Sequence, residues 1–155
     1  KNLMIYVNDA IKYRMIPEQI LYFSKLIFGT ADAISALDDI ERTGVLRIHD
    51  LKTGSTQAKM TQLENYAALF CLNYKYKPKD LETELRIYQS GEVLCHNPDP
   101  KEISEIMDQY RTADRLINDI LMSWHELYVI RWLLLTLRNI NWTIKPAMQT
   151  MQSPH

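Results

Sequence analysis

The sequence predicts an α/β fold in which three strands are followed by a helix, a fourth strand and a second helix. Short runs rich in β-branched and aromatic residues, bounded by Pro and Gly, are typical of strands. Two longer runs carry apolar residues three and four positions apart, which is the spacing of an amphipathic helix. The order is therefore β-β-β-α-β-α, an α/β sandwich. The short links between the first three strands favour an antiparallel meander.

The first half of the chain supplies these three strands. The mixed opening run, residues 1–15, is compatible with a strand or with a helical turn, and Pro17 marks a boundary. The strands are predicted at residues 18–24, 26–35 and 45–50. Gly29 permits a bulge or a close backbone approach inside the second strand. Residues 38–43 are predicted to form a polar turn that Gly44 closes.

The second half changes to helical spacing. Residues 59–74 predict an amphipathic helix with one apolar face, made of Met60, Leu63, Ala67, Phe70 and Cys71. Residues 81–89 alternate as a strand does, and Ser90 and Gly91 turn the chain. Asp99 is a suitable cap for a helix that runs to about residue 122. Its predicted buried side consists of Ile103, Ile106, Met107, Tyr110 and Leu116.

We expect two segments, a folded domain at residues 1–122 and a Trp-rich C-terminal helix and tail at residues 123–155. All three Trp residues lie in the second segment, which has no Asp and one Glu. Three interpretations stay open: a last helix packed on the core, a peripheral interaction face, or a tail foreign to the domain. The apolar run within it is far shorter than a membrane span, so no membrane partner is expected.

Composition excludes several classes of protein. Hydrophobic residues make up 46% and charged residues 24%, as in a globular protein rather than a disordered one. The net charge of -1 indicates that any nucleic-acid partner would need a local basic patch. Cys71 and Cys95 form neither a CxxC pair nor a disulfide framework, which favours a reducing compartment. Because the chain begins with Lys1 and no leader segment is apparent, we expect it to start inside a longer protein.

Charged side chains near the end of the third predicted strand indicate a metal site. Residues two apart in a strand share a face, about 7 Å apart, so Asp50 and Lys52 project together. Asp32 is a carboxylate in an otherwise apolar strand, where an ionised group is costly unless it is paired or bound to a metal. If the two strands pair, the carboxylates come close and call for a cation. Hard oxygen ligands favour Mg²⁺ or Mn²⁺.

Other polar residues have weaker signals. Gln62 and Tyr66 lie four apart on one face of the predicted helix, although an exposed Gln and a half-buried Tyr are the commoner interpretation. His49 points away from Asp50 in a strand and is more often a packed structural residue. The run NYKYKP at residues 73–78 could track a phosphate backbone, stack a base or be a solvated helix end.

Taken together, the segments GTADAI, IHDLKTG and QLENYA resemble the PD-(D/E)XK nuclease superfamily. They are most similar to its RecB-like and phage-exonuclease branch, which includes relatives of lambda exonuclease. The resemblance covers residues 18–90 and extends more loosely to residue 120. It implies a restriction-endonuclease-like core, a mixed central β-sheet flanked by helices. It also implies a metal-dependent DNA nuclease, expected to be a phage-type exonuclease in recombination or repair. The alternative is a catalytically inactive module of this fold for DNA binding or assembly.

The resemblance implies a set of site residues, which comprises Glu18, Asp32, Asp50, Leu51, Lys52, Gln62 and Tyr66. The two Asp carboxylates and the backbone carbonyl of Leu51 would bind Mg²⁺ or Mn²⁺. Lys52 would be the catalytic lysine. Gln62 and Tyr66 match a Q-x-x-x-Y helix that lies beside the active site and the DNA. Glu18 resembles the glutamate that often opens the first core strand.

Family members usually carry a further acidic or histidine residue on a helix before the first strand, and only Asp9 is a candidate for it by position. Relatives with an iron–sulfur cluster carry four cysteines, and this chain has two. The implied partners are DNA, further copies in a homo-oligomer, and a single-strand-annealing or recombination protein. The expected location is the cytoplasm of a bacterial host cell, if the protein is phage-encoded.

Two roles stay open for Lys52. Neighbouring carboxylates would raise its pKa and suit a cation that stabilises the transition state, whereas a metal would lower its pKa and suit a general base. Two other enzyme classes are excluded by motif. No Ser-x-x-Lys accompanies the Lys-Thr-Gly triplet, as a serine acyl-transfer enzyme requires. No Gly-x-x-x-x-Gly-Lys forms a phosphate loop.

Overall fold

The structure, a computed structural model, describes residues 2–54 and 58–150, with side chains up to residue 135. It divides into two compact units, Lys1–Asp114 and Arg115–His155. The elements in chain order are α1 (Asn2–Lys12), β1 (Met15–Tyr22), β2 (Phe28–Ser35), α2 (Leu37–Thr43), β3 (Val45–Lys52), α3 (Thr61–Tyr74), a 3₁₀ turn (Pro78–Asp80), β4 (Glu82–Gln89), β5 (Glu92–His96) and α4 (Pro100–Thr150).

The first unit is built on a five-stranded sheet with the strand order β1-β2-β3-β4-β5. The pairs β1–β2, β2–β3 and β4–β5 are antiparallel, and β3–β4 is parallel. A parallel neighbour needs a crossover connection, which α3 provides between β3 and β4. The sheet is therefore mixed, which confirms the predicted α/β class and the antiparallel meander of the first three strands.

Helices flank both faces of this sheet. On β3, Lys52 meets a side chain of α3, whereas the ring of His49 lies against Tyr13, which follows α1. Residues at odd and even positions of a strand point to opposite faces, so α1 and α3 cover opposite sides. The predicted apolar face of α3 is confirmed, because Leu63, Ala67 and the other apolar residues of this stripe pack in or against the core.

Three local predictions were incomplete or wrong. The opening run is a helix, α1. Residues 38–43 lie in the short helix α2 rather than in a turn, and this helix ends at Gly44, whose φ of 72° is one that glycine adopts readily. With only seven residues, α2 is too short to show a clear helical spacing of apolar residues. The strand β5 was missed, although the preceding turn at residues 90–91 was identified.

The helix α4 begins where it was expected. The Lys101 amide donates to Asp99 Oδ1 at 2.7 Å, and the Asp99 amide donates to Glu102 Oε2 at 3.0 Å, which is a capping box. Ile103 and Met107 are buried as predicted. Leu116 was predicted to be buried but is 53% exposed. It lies in the second unit, beyond the turns of α4 that contribute to the core.

The described part of the second unit, residues 115–150, is helical. Its described apolar side chains are exposed, including Trp124 at 68% and Trp132 at 60%. The third tryptophan, Trp142, lies outside the described side chains. Within the described residues, no helix combines the length and the apolar character that crossing a membrane requires.

Candidate active site

Two carboxylates stand where β2 and β3 separate. The ladder between these strands contains Ala33 with His49 and Ile34 with Ile48. The next position in the same register is Asp32 opposite Asp50, and the strands are no longer paired there. The side chains are nevertheless neighbours, since interaction with the Asp50 carboxyl group is the main cause of the raised pKa of Asp32. The prediction that the second and third strands bring these residues together is therefore confirmed.

This contact changes the acidity of Asp32. The hydrogen bond to Asp50 raises the pKa of Asp32 to about 6, and partial burial and the negative charge of Asp50 act in the same direction. The positive charge of Lys52 opposes them. Asp50 itself is 3% exposed. Two carboxylates this close repel each other when both are ionised, and a divalent cation between them would relieve the repulsion.

Lys52 is the cation nearest to this pair. Its Nζ lies 2.8 Å from Asp50 Oδ2. The same oxygen has no hydrogen-bond partner with correct angles among the described residues, so the contact is an ion pair without a directed hydrogen bond. The contact with Asp50 raises the pKa of Lys52. The ammonium group of Lys52 is therefore stabilised in its charged form beside Asp50.

A chain of hydrogen bonds connects Lys52 to α3. Lys52 Nζ donates to Gln62 Oε1 at 3.2 Å, and Gln62 Nε2 donates to the Tyr66 hydroxyl at 2.9 Å. The four-residue spacing of the Gln and the Tyr makes the second bond possible, because it places both on one helix face. The acids on β2 and β3, the lysine and the helix pair therefore form one continuous polar group.

A close approach to Gly29 holds Tyr66 in place. A Cβ atom on Gly29 would lie 2.9 Å from Tyr66 Cε1 and 3.4 Å from Leu69 Cδ1. The first distance is shorter than van der Waals contact allows, so only glycine fits without movement of the ring. The predicted close backbone approach at Gly29 is confirmed, and the neighbour is the tyrosine of the candidate site.

Gln89 is a site-supporting residue that the sequence did not reveal. It pairs with Lys52 across the parallel strands β3 and β4. Its Nε2 donates to the Gly54 carbonyl at 2.7 Å, and its Oε1 accepts from the Ala58 amide at 3.0 Å. It thereby holds the chain on either side of the segment that follows Lys52. No local signal marks it, because its partners lie 31 and 35 residues away in the sequence.

A cavity of about 450 Å³ opens beside the lysine. Its lining includes Lys52 and Gln62 of the polar group, together with Lys59 and Asn65. With Gln89, the lining offers a phosphate group two ammonium groups and three amide side chains. The cavity is thus chemically suited to an anionic substrate that reaches Lys52.

Glu18 and Leu51 occupy the borders of the site. Glu18 lies on β1 opposite Asp32, at a point where the ladder skips one pair. Its φ of 51° interrupts the strand. The side chain is exposed, and its negative charge contributes the last part of the raised pKa of Asp32. Leu51 is half-buried on β3, beyond the last residue that pairs with β2.

Asp9 lies in a different polar cluster. It accepts from Arg86 Nη1 at 3.0 Å and from the Tyr88 hydroxyl at 2.7 Å. The Tyr88 oxygen also lies 3.1 Å from His49 Nδ1. Because its proton goes to Asp9, that oxygen accepts from a neutral His49 protonated at Nδ1. Burial lowers the pKa of His49 to about 3, in agreement with a structural histidine.

Tyr6 on α1 is a second residue that the sequence did not reveal. Burial raises the pKa of its hydroxyl, and the negative charges of Asp32, Asp50 and Glu18 raise it further. Its ring packs edge-to-face on Tyr88, with 5.4 Å between the centroids. Tyr6 is therefore close enough to the three acids for their charges to act on its hydroxyl. Sequence spacing carries no signal for it, because it depends on how α1 packs on the sheet.

The donor set fits a magnesium ion better than a zinc ion. The described residues contain no group of three or more His, Cys, Asp or Glu that could hold a metal. Zinc sites need three or four such ligands. Mg²⁺ is commonly held by one or two carboxylates and completes its shell with water and substrate phosphate. Asp32 and Asp50, with an oxygen free of directed hydrogen bonds, meet that smaller requirement.

No protein-family model matches the chain, and neither the curated proteins nor the solved structures contain a significant match.

Proposed function

We propose that this protein is a metal-dependent DNA nuclease of the PD-(D/E)XK type, with a restriction-endonuclease-like core. The observation that carries the proposal is the continuous contact from Asp32 through Asp50, Lys52 and Gln62 to Tyr66. These residues come from two strands and a helix, and they are the ones that the motif resemblance selects. A surface ion pair between Asp50 and Lys52 would account for neither the acid pair nor the helix residues.

Asp32, Asp50 and the backbone of Leu51 are the groups that would hold Mg²⁺ or Mn²⁺. When bound, such an ion acts as a Lewis acid towards a phosphoryl oxygen. Lys52 would stabilise the negative charge that develops on the scissile phosphate, because its raised pKa keeps it protonated. Gln62 would hold the ammonium group in place. The Tyr66 hydroxyl would fix the amide orientation of Gln62, since it accepts from Nε2.

Within the superfamily, we infer a place in the RecB-like and phage-exonuclease branch. The Gln62–Tyr66 hydrogen bond supports this narrower assignment, because it shows that the two residues of the Q-x-x-x-Y pattern interact directly on one face of α3. Linear DNA in recombination or repair would be the substrate. A homo-oligomer and a single-strand-annealing or recombination protein are the partners proposed with it.

A catalytically inactive module of the same fold, which binds DNA or assists assembly, is the second candidate. Two observations favour it. Asp9 is the candidate by position for a further acidic ligand, but its carboxylate already accepts hydrogen bonds from Arg86 and Tyr88. Glu18 is exposed. The metal would then have only two carboxylate ligands, which gives a weak site unless substrate phosphate completes it.

Cleavage of end-labelled linear DNA separates these candidates. The wild-type chain should release labelled products in Mg²⁺ or Mn²⁺ and none in EDTA. The Asp50→Asn variant should be inactive, and Asp38→Asn, an exposed acid on α2, should match the wild type. Stable DNA binding without any metal-dependent product would overturn the nuclease proposal and favour the inactive module.

A further inference from the structure

A second basic cavity lies between the end of α3 and the start of α4. Its volume is about 700 Å³. Its lining residues all belong to the first unit. They lie at positions 71–79, the end of α3 and the turn after it, and at positions 100–111, the start of α4. Its apolar surface includes Cys71, Leu72 and Met107. Burial raises the pKa of the Cys71 thiol to about 12, so this surface carries no negative charge near neutral pH.

The rim of this cavity is strongly positive. Five cations line it, Lys75, Lys77, Lys79, Lys101 and Arg111, against one carboxylate, Asp108. Arg111 pairs with Asp108 at 2.7 Å, and Lys101 lies 3.9 Å from Glu105. Within the described part of the chain, the other three lysines take part in no ion pair. A chain of net charge -1 thus concentrates unpaired positive charge at one place.

The local fold separates the lysines from the tyrosines between them. Tyr74 and Tyr76 turn inward onto Phe70, with ring centroids 4.8 Å and 5.7 Å away. Lys75, Lys77 and Lys79 are exposed. Of the three interpretations of this run, base stacking by the tyrosines is the least favoured, because both rings are half-buried and pack against Phe70. The lysines remain as the groups that a ligand would meet.

We propose that this cavity binds phosphate groups of the DNA backbone, at a site separate from the catalytic residues. The inference rests on the nuclease proposal for its choice of polymer. Lysines that form no ion pair within the protein break no such pair when they contact phosphate. Each contact also releases counterions from the DNA, which favours binding. Five cations around a wide cavity exceed what one phosphate can use, so a polymer with repeated phosphates fits better than a single anion.

The position of the cavity sets a length requirement for the DNA. Lys75, the residue that follows α3, lies nine positions beyond Tyr66, which is about 13 Å along a helix axis. Phosphates of one DNA strand are spaced by about 3.4 Å along the duplex axis. A duplex that touches both sites must therefore extend about four base pairs beyond the catalytic centre. The cavity would act as an anchor that holds DNA while its end is processed.

The test is the salt dependence of binding to a labelled 20-base-pair duplex, measured with the full chain in EDTA so that no cleavage occurs. Removing a lysine that contacts phosphate should lower the slope of log K against log salt by about one. The double variant Lys77→Gln/Lys79→Gln should thus have a slope lower by about two. The control Lys12→Gln/Lys25→Gln, which removes two exposed lysines elsewhere, should keep the wild-type slope.

The outcomes distinguish this proposal from the nuclease proposal. An unchanged slope in the Lys77/Lys79 variant, or no binding of the wild type to the duplex, overturns the anchor. Displacement of the duplex by an equal concentration of a mononucleotide would also overturn it, since the site would then recognise single anions. A lowered slope with no cleavage in Mg²⁺ would support the anchor and reject the nuclease.

Discussion

Replacing Asp32 by Asn is expected to stabilise the metal-free protein above about pH 6. The pKa of Asp32 rises from 3.8 to about 6 in the folded state, chiefly because of its hydrogen bond to Asp50. The stability that this group contributes is therefore present below pH 3.8 and lost as the pH rises through 6. One pKa unit corresponds to about 1.4 kcal/mol, which sets an upper limit of about 3 kcal/mol. Solvent screening at this half-buried group reduces the expected gain to about 1–2 kcal/mol.

Urea denaturation in EDTA at about pH 4 and pH 8 measures this effect. The Asp32→Asn variant should exceed the wild type at the higher pH, and the difference should disappear at the lower one. Asp38→Asn removes an exposed acid and should change stability by less than about 0.5 kcal/mol at either pH. A variant that is less stable than the wild type at pH 8 would refute the reasoning, because the acid pair would then not be under electrostatic strain.

Magnesium supplies the second half of this experiment. An ion that binds only the folded state at ten times its dissociation constant stabilises it by about 1.4 kcal/mol. The wild type should gain that amount at pH 8, and Asp32→Asn should gain far less because one ligand has lost its charge. Equal stabilisation of both proteins would place the metal elsewhere and remove Asp32 from the donor set.

Three further outcomes are expected. Lys52→Ala should lower the cleavage rate at saturating metal by at least about 100-fold while metal affinity, measured by calorimetry, stays within a few-fold; a loss of affinity as large as that of Asp50→Asn would contradict its role. Gly29→Ala should cost about 1–3 kcal/mol in thermal unfolding, because its Cβ would meet Tyr66 at 2.9 Å, whereas Gly54→Ala meets nothing within 4 Å and serves as the control. Folding lowers the pKa of His49 from 6.5 to about 3, so the protein should lose stability as the pH drops below 6.5, by up to about 1.4 kcal/mol per pH unit. Urea denaturation between about pH 6.5 and 5 measures this loss in the wild type and in His49→Gln. If the stability of both proteins changes equally with pH, this histidine is not buried as a neutral group.

Much of the candidate site was predictable because its residues lie within short local patterns. The two-residue period of a strand places Asp50 and Lys52 on one face, and their ion pair follows from it. The helical period places Gln62 and Tyr66 on one face, which the hydrogen bond between their side chains bears out. Only the short connection between the second and third strands was needed to bring Asp32 opposite Asp50.

The polar cluster on the other face of the sheet was beyond sequence reasoning. Asp9 was a candidate ligand by position, yet it binds Arg86 and Tyr88, which are 77 and 79 residues away. Its choice of partner depends on how α1 packs across β3 and β4. The half-buried residues of α1, among them Tyr6 and Asp9, recur at helical spacing and define one face, but this spacing does not say which strands the face meets.

The run at residues 73–78 likewise combines a pattern that the sequence determines with a packing arrangement that only the tertiary structure determines. The sequence determined that lysines and tyrosines alternate there, and alternation alone left phosphate contact, base stacking and a solvated helix end equally open. Tertiary structure adds that both tyrosines pack against Phe70 and that the lysines lie around a cavity completed by α4, which favours phosphate contact over base stacking. Local patterns are encoded by the few residues that make them, whereas the partner of each face is selected by burial of apolar surface across the whole domain.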